Sequence, residues 1–216
     1  MRHADIAGLM RHADVAMYQA KSTSRDNLQF FTPELNERVM RRLQLENDLR
    51  HAVERDELVL YYQPRIHAKT GLLAGVESLV RWMHPQRGLV PPGDFIPIAE
   101  ESGLIGSIGA WIIGEACRQH QLWRRAGMGA VPVQNMHSAP QNLAVTNTII
   151  GLGHTLGLQV VAEGVEHEAD VELLRAAGCD ELQGFYYSRA LPTAEAQAWM
   201  VAHAEVVENG GRLRRA

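Results

Sequence analysis

The sequence predicts an α/β fold built from alternating strands and helices, and three observations carry that expectation. From about residue 57, short runs rich in β-branched and aromatic residues alternate with longer segments of helical periodicity. Gly127, Gly157 and Gly178 close those longer segments, as residues just past a helix C-terminus do. The chain has 216 residues, 46% hydrophobic and 21% charged, which is enough apolar material to bury a core and too little charge for a disordered chain. Alternation of this kind favours a parallel sheet with helices packed outside it.

The elements follow in order. Residues 1–31 read as a helix with Leu9, Ala13, Ala16, Met17 and Ala20 on one face, then a short extended piece at Leu28–Phe31. Met-Arg-His-Ala-Asp occurs at 1–5 and again at 10–14, too short an echo to be a repeat architecture. Thr32-Pro33-Glu34 starts a connecting helix over 32–55: Thr32 can cap, Pro33 suits the first helical position and Glu34 suits the positive end of the dipole. Leu58–Tyr62 and Gly75–Trp82 are the first two strands. Ile105–Arg125 is an amphipathic helix carrying Ile108, Trp111, Ile112, Ala116, Leu122 and Trp123. Val131-Pro132-Val133 opens a third strand. Val145, Ile149, Leu152 and Leu156 mark the next helix, and Gln159–Ala162 the strand after it. Val171, Leu174 and Ala177 lie on a helix, Leu182–Tyr187 on a strand, and Thr193 caps a last helix with Trp199 and Met200. Residues 205–216 read as a polar tail.

The bulk properties exclude several classes. A net charge of -4 gives no global basic field for nucleic acid. Cys117 and Cys179 form no C-x-x-C pair, so a disulfide scaffold or a cysteine zinc site is not expected, and a reducing cytoplasm is the expected compartment. No run reaches the roughly 18–20 apolar residues of a membrane span, and the polar Met1–Asp5 start is not a signal peptide. The ten histidines are scattered, without a close ligand pair, and read as solvated.

The motifs are more specific. Tyr61-Tyr62-Gln63-Pro64 is followed by Val76-Glu77-Ser78-Leu79-Val80-Arg81-Trp82, then by a block from Gly88 to Glu101. Val160 to Glu166 reads Val-Val-Ala-Glu-Gly-Val-Glu, and Gln183-Gly184-Phe185-Tyr186-Tyr187-Ser188 follows. In this order they resemble the EAL family of cyclic-di-GMP phosphodiesterases. Ser78 stands where the name motif has alanine, and Ala190 where proline is usual. Upstream, Arg11 to Lys21 resembles the end of a GGDEF domain. Without that domain's signature loop, cyclase activity is not expected.

The resemblance implies a (β/α)8 barrel, a fold that typically takes about 250 residues. The barrel-like stretch, residues 56–204, is far shorter. The match holds up to Val131-Pro132-Val133 and resumes at Gln134-Asn135-Met136-His137, which resembles the stretch just after the sixth strand. The family's segment between, with its Asp-Asp-Phe-Gly turn and Lys-Ile-Asp strand, does not occur. The expected fold is therefore an incomplete EAL-type barrel lacking about three central strands, preceded by a helical GGDEF remnant at 1–31. Such a sheet should stay open, with about four or five strands and exposed edges that favour association.

The family hydrolyses a phosphodiester with two Mg²⁺ or Mn²⁺ ions that clamp the attacking water and the leaving oxygen. By resemblance, Glu77 and Glu163 are metal ligands, Glu163 and Glu166 belong to the catalytic acidic loop, and Gln63, Arg81 and Gln183 touch the nucleotide. Asn135 matches the family's asparagine ligand on one alignment; on the other, which fits better, it lies beyond strand six. The bridging aspartates and the lysine near the water have no counterpart. Without the resemblance, Glu77 and Glu163 are ordinary strand-end carboxylates, Arg81 stacks on Trp82, and Tyr61, Tyr62, Tyr186 and Tyr187 are packing residues. The expectation is a degenerate protein of cyclic-di-GMP signalling without hydrolysis, keeping weak nucleotide contact or serving as an interaction module, self-association included. An enzyme completed by another chain, and a non-functional fragment, are the alternatives.

Overall fold

A computed structural model describes residues 33–128, 133–134 and 143–208. The predicted GGDEF remnant, Asn135 and the end of the tail lie outside the described residues. The chain divides into two compact units, one containing the described residues up to Glu57 with His84–Ile108, the other Leu58–Met83 with the residues from Gly109 on.

The first unit begins with α1 (Pro33–Leu49). Val39, Leu45 and Leu49 are buried, whereas Leu43 is not. The helix ends at Leu49 rather than near 55. His51 and Ala52 donate three residues back, to Asp48 and Leu49, and Asp56 takes a positive φ of 54°, so the chain tightens into turns before the first strand. β3 (Gly88–Val90) and α2 (Pro92–Glu101) complete this unit. Pro92 opens α2, a position where a missing N–H costs nothing. The Arg42–Glu101 ion pair joins α2 to α1. His84 is buried and meets the Asp48 carboxylate at 3.2 Å, so it is not the solvated histidine expected.

The second unit holds the sheet. β1 (Leu58–His67) and β2 (Leu73–His84) form an antiparallel hairpin whose register pairs Tyr62 with Ser78 and Gln63 with Glu77. This departs from the parallel expectation. The short connection turns at Gly71, whose φ of 72° suits glycine, and a connection that short cannot make the crossover that parallel neighbours need. On its other side β2 meets β4 (Val133–Gln134) in parallel, Val76 facing Val133 and Glu77 facing Gln134. β1 meets β6 (Glu181–Leu182) and β7 (Leu191–Pro192) antiparallel, and β6 lies parallel to β5 (Val161–Ala162). Within this unit the path β4–β2–β1–β6–β5 is a half-barrel of five staves, with β7 beside β1 off that path. Among the described residues β4 pairs only β2, and β5 pairs only β6.

Four helices lie in the second unit or run into it: α3 (Ile105–Arg125), α4 (Leu143–Thr155), α5 (Glu168–Ala176) and α6 (Thr193–Glu208), the last extending into the predicted tail. Ile66, Leu182, Val165, Ile150, Val171 and Cys179 form the core between sheet and helices. Tyr62 meets Trp123 edge-on, ring centres 4.7 Å apart, which makes Tyr62 a packing residue. His203 is buried against Trp199 and hydrogen-bonds the Gly71 carbonyl through Nε2 at 2.9 Å. Burial pushes its pKa below the ordinary histidine value.

On β2 the side chains alternate. Val76, Ser78, Val80 and Trp82 are buried along one face, while Glu77, Leu79 and Arg81 take the other. Ser78 thus sits among apolar neighbours, and its hydroxyl has no hydrogen-bond partner. A buried unsatisfied hydroxyl costs about 1–3 kcal/mol. Ser78→Ala should raise the unfolding midpoint in a denaturant titration with an unchanged slope; an unchanged or lower midpoint would show that the hydroxyl is satisfied in solution.

Candidate functional site

Gln63 and Glu77 are direct cross-strand partners on β1 and β2, so their side chains share a face. Gln183 enters from the end of β6. Its Nε2 donates to Glu77 Oε2 at 2.6 Å and to Gln63 Oε1 at 3.1 Å. Gln63 Nε2 in turn donates to the Ser188 carbonyl at 3.0 Å. Glu77 and Gln183 are 7% and 4% exposed, so this polar chain is nearly dry, and each bond in it is correspondingly strong.

Arg81 lies two positions beyond Leu79 on the same face as Glu77. Its guanidinium stands 5.4 Å above the Tyr61 ring and donates to the Val80 carbonyl at 2.9 Å. The stacking partner is therefore Tyr61, not Trp82. The reason is geometric: Trp82 is the next residue along β2 and points to the opposite face. Burial pulls the Arg81 pKa below its ordinary value, and the fields of Tyr61 and Glu77 oppose that shift.

Gln183 is positioned by its backbone. Its N–H donates to the Ala162 carbonyl at 2.8 Å and its carbonyl accepts from Val165 N at 3.1 Å. Past Leu182 the chain does not continue as a strand to Tyr187. Tyr187 and Ser188 both donate to the Gly184 carbonyl, which closes a turn, and Tyr186 N bonds Val165 O at 2.9 Å. Gly184 allows this: a Cβ there would stand 2.1 Å from Val165 O and 2.3 Å from Val165 N. The acidic loop leaves β5 through Gly164, at φ 71°. Glu163 is half-buried and Glu166 exposed. β5, which leads into Glu163, is separated from β2 by β6 and β1.

The structure thus joins Gln63, Glu77 and Gln183 by direct hydrogen bonds and sets Arg81 beside them. Glu163 and Glu166 belong to a loop tied to the same turn. The Ser188 carbonyl and the Tyr61 ring complete the group and were not foreseen. Period-two alternation from Gln63 back to Tyr61 is the signal that could have found the second.

Among the described residues the donor set does not suit a pair of hard divalent ions. Mg²⁺ demands near-octahedral oxygen donors, yet one Glu77 oxygen is held by an amide N–H at 2.6 Å. Among the described residues no three His, Cys, Asp or Glu side chains gather as a metal site would require. Asn135 lies outside the described residues.

Comparison with known proteins supplies the family. The EAL domain family model matches residues 46–134 and 129–190. The chain is 32% identical over 279 residues to the bifunctional diguanylate cyclase/cyclic di-GMP phosphodiesterase MucR of Pseudomonas aeruginosa, covering 87% of this chain and 41% of that protein. It is 30% identical over 287 residues to the cyclic di-GMP phosphodiesterase PdeR of Escherichia coli, covering 91% of this chain and 43% of that one. The chain thus spans less than half the length of these relatives. The solved structure titled PaMucR phosphodiesterase, c-di-GMP complex, superposes with a TM-score of 0.64 at 30% identity, over 71% of this chain and 99% of that one. No helix among the described residues is long and apolar enough to cross a membrane. With its motifs in family order, a half-barrel sheet and these matches, the chain belongs to the EAL domain family.

Proposed function

We propose that this chain is an EAL-derived half-barrel that does not hydrolyse cyclic di-GMP and serves as a nucleotide-contact or interaction module. The observation that carries this reading is the state of Glu77, buried and hydrogen-bonded by Gln183 at 2.6 Å, where the family's chemistry needs an open carboxylate among several others. Glu163 and Glu166 remain as the acidic loop, without the bridging carboxylates. Gln63, Arg81 and Gln183 keep the polar contacts a cyclic dinucleotide could use, Arg81 offering a planar donor fork to a phosphate.

Lost central strands also account for the form of the matches. The family model meets the chain in two stretches that overlap at 129–134. An alignment 279 residues long that uses 87% of a 216-residue chain leaves about 90 positions of the relative facing nothing here. That is about the size of three strand–helix units in a barrel of about 250 residues. In this reading 1–31 is the remnant of a GGDEF domain, 32–55 a connector, 56–204 the shortened EAL domain and 205–216 a tail.

The test is turnover. The purified chain with cyclic di-GMP and either Mg²⁺ or Mn²⁺ should yield no linear dinucleotide by chromatography. Product that disappears in Glu77→Ala would overturn the reading.

A further inference from the structure

We propose that a second copy of this chain closes the half-barrel, β5 of each copy pairing in parallel with β4 of the other. This rests on the reading that central strands are missing. The two edges carry the argument. At β5, the carbonyl of Val160, just before the strand, accepts from Glu181 N and the Ala162 carbonyl accepts from Gln183 N, so these two residues face β6. Val161 lies between them, and in a parallel ladder its N–H and C=O point the other way, to the side on which no described strand pairs. At the far side of the sheet β4 pairs β2 alone among the described residues.

Strand direction then selects the partner. β2 is antiparallel to β1 and parallel to β4; β6 is antiparallel to β1 and parallel to β5. The edge strands β4 and β5 therefore run the same way. A twofold axis along the barrel preserves strand direction, so one copy's β5 meets the other's β4 in the parallel sense, twice, and both edges are used up. Five staves from each copy give a closed ring wider than the family barrel, without the unpaired edges that invite further association.

The helix layer fits the same arrangement. α3 precedes β4 and exposes Ile113, 64% accessible; α4 precedes β5 and exposes Leu152, 59% accessible, with Leu156, 64% accessible, in the turn just past its end. When β4 of one copy lies beside β5 of the other, these helices become neighbours in the outer layer, and each has apolar surface to cover.

Analytical ultracentrifugation of the full chain tests this. The expected result is a single species of two chains of 24.0 kDa each. Val161→Pro removes the outward N–H and places a ring at the edge while leaving the β5–β6 bonds intact. It should convert the dimer to a monomer with unchanged far-ultraviolet circular dichroism. Leu152→Glu, at an exposed position, should weaken the dimer at least tenfold, and it decides the matter if the proline variant does not fold. A monomeric wild type, a broad ladder of larger masses, or a dimer that ignores Leu152→Glu would overturn the proposal. Hydrolysis is read separately: a monomer without turnover sinks only the dimer, whereas turnover sinks the reading of the site.

Discussion

Gly184→Ala is expected to destabilise the fold by about 3 kcal/mol or more, at the upper end of what overpacking costs. The added Cβ would stand 2.1 Å from Val165 O, 2.3 Å from Val165 N and 2.7 Å from Val165 C. All three are backbone atoms, so no rotamer change relieves the clash. The same contact is laced by Val165 N to Gln183 O and by Tyr186 N to Val165 O, and separating the two segments enough to admit a methyl group breaks both. Gln183 would move with them, taking its amide from Glu77. Chemical denaturation should show a large fall in midpoint, or no cooperative transition. A variant within about 0.5 kcal/mol of wild type, the range of an ordinary surface substitution, would show that the two segments do not meet this closely.

Glu181→Ala should cost about 3–5 kcal/mol, the usual penalty for removing one partner of a buried ion pair. Arg65 Nη1 stands 3.2 Å from Glu181 Oε2, with the two side chains 6% and 13% exposed. The pair is close but not aligned as a hydrogen bond, since Glu181 Oε2 has no hydrogen-bond partner. Its contribution is therefore the neutralisation of charge in a dry place. Arg65 is on β1 and Glu181 on β6, so the pair ties the central hairpin to the strand that delivers Gln183. The double variant Arg65→Met with Glu181→Met separates charge burial from packing: it should recover most of the loss, because paired apolar side chains incur no desolvation penalty. A single Glu181→Ala loss under 1 kcal/mol would mean that other groups around Arg65, or water, meet its charge.

Much of this architecture was legible in the residues. The helix over Ile105–Arg125 was marked by its apolar spacing and by Gly127, and the structure reproduces its bounds. The apolar pattern marks the second strand over Gly75–Trp82, and the observed strand runs two residues further at each end, to Leu73, which pairs with Ile66 of β1, and to His84. Strand direction was not legible from alternation alone. The nearer signal was the Lys69-Thr70-Gly71 turn between two apolar runs, which reads as a hairpin connection. The run Leu182–Tyr187 looked like a strand because aromatic residues favour strands. What overrode that preference is the Val165 backbone packed against Gly184, a contact between distant segments that no local window contains.

The site divides in the same way. Gln63, Glu77, Arg81 and Gln183 were each picked out by their motifs, but not the bond between Glu77 and Gln183, which lie 106 positions apart. A metal-binding role for Glu77 came with the resemblance; the amide that now holds its carboxylate is visible only in the fold. Tyr187 is a smaller case. Its motif marks it as packing, and burial pushes its pKa up to about 12, so it keeps its proton across the physiological range.

The central place of β1 has a consequence for the order in which the chain assembles. β2 follows β1 after a short turn and pairs along most of its length, so this hairpin can form within microseconds of collapse. The other flank of β1 is filled by β6 and β7, which arrive from the far end of the chain. Gln63 and Gln183 are 120 positions apart, and the two ends of that long loop must find one another before the sheet gains anything from them. Closure entropy grows only as the logarithm of loop length, about 0.6 kcal/mol for each doubling. A difference of some 90 positions, that between this chain and the stretch of MucR aligned with it, would change this step by only about half a kilocalorie per mole if it fell within the loop. The expected early path is a local hairpin awaiting a distant partner, with the docking of the C-terminal strands as the slow event in folding.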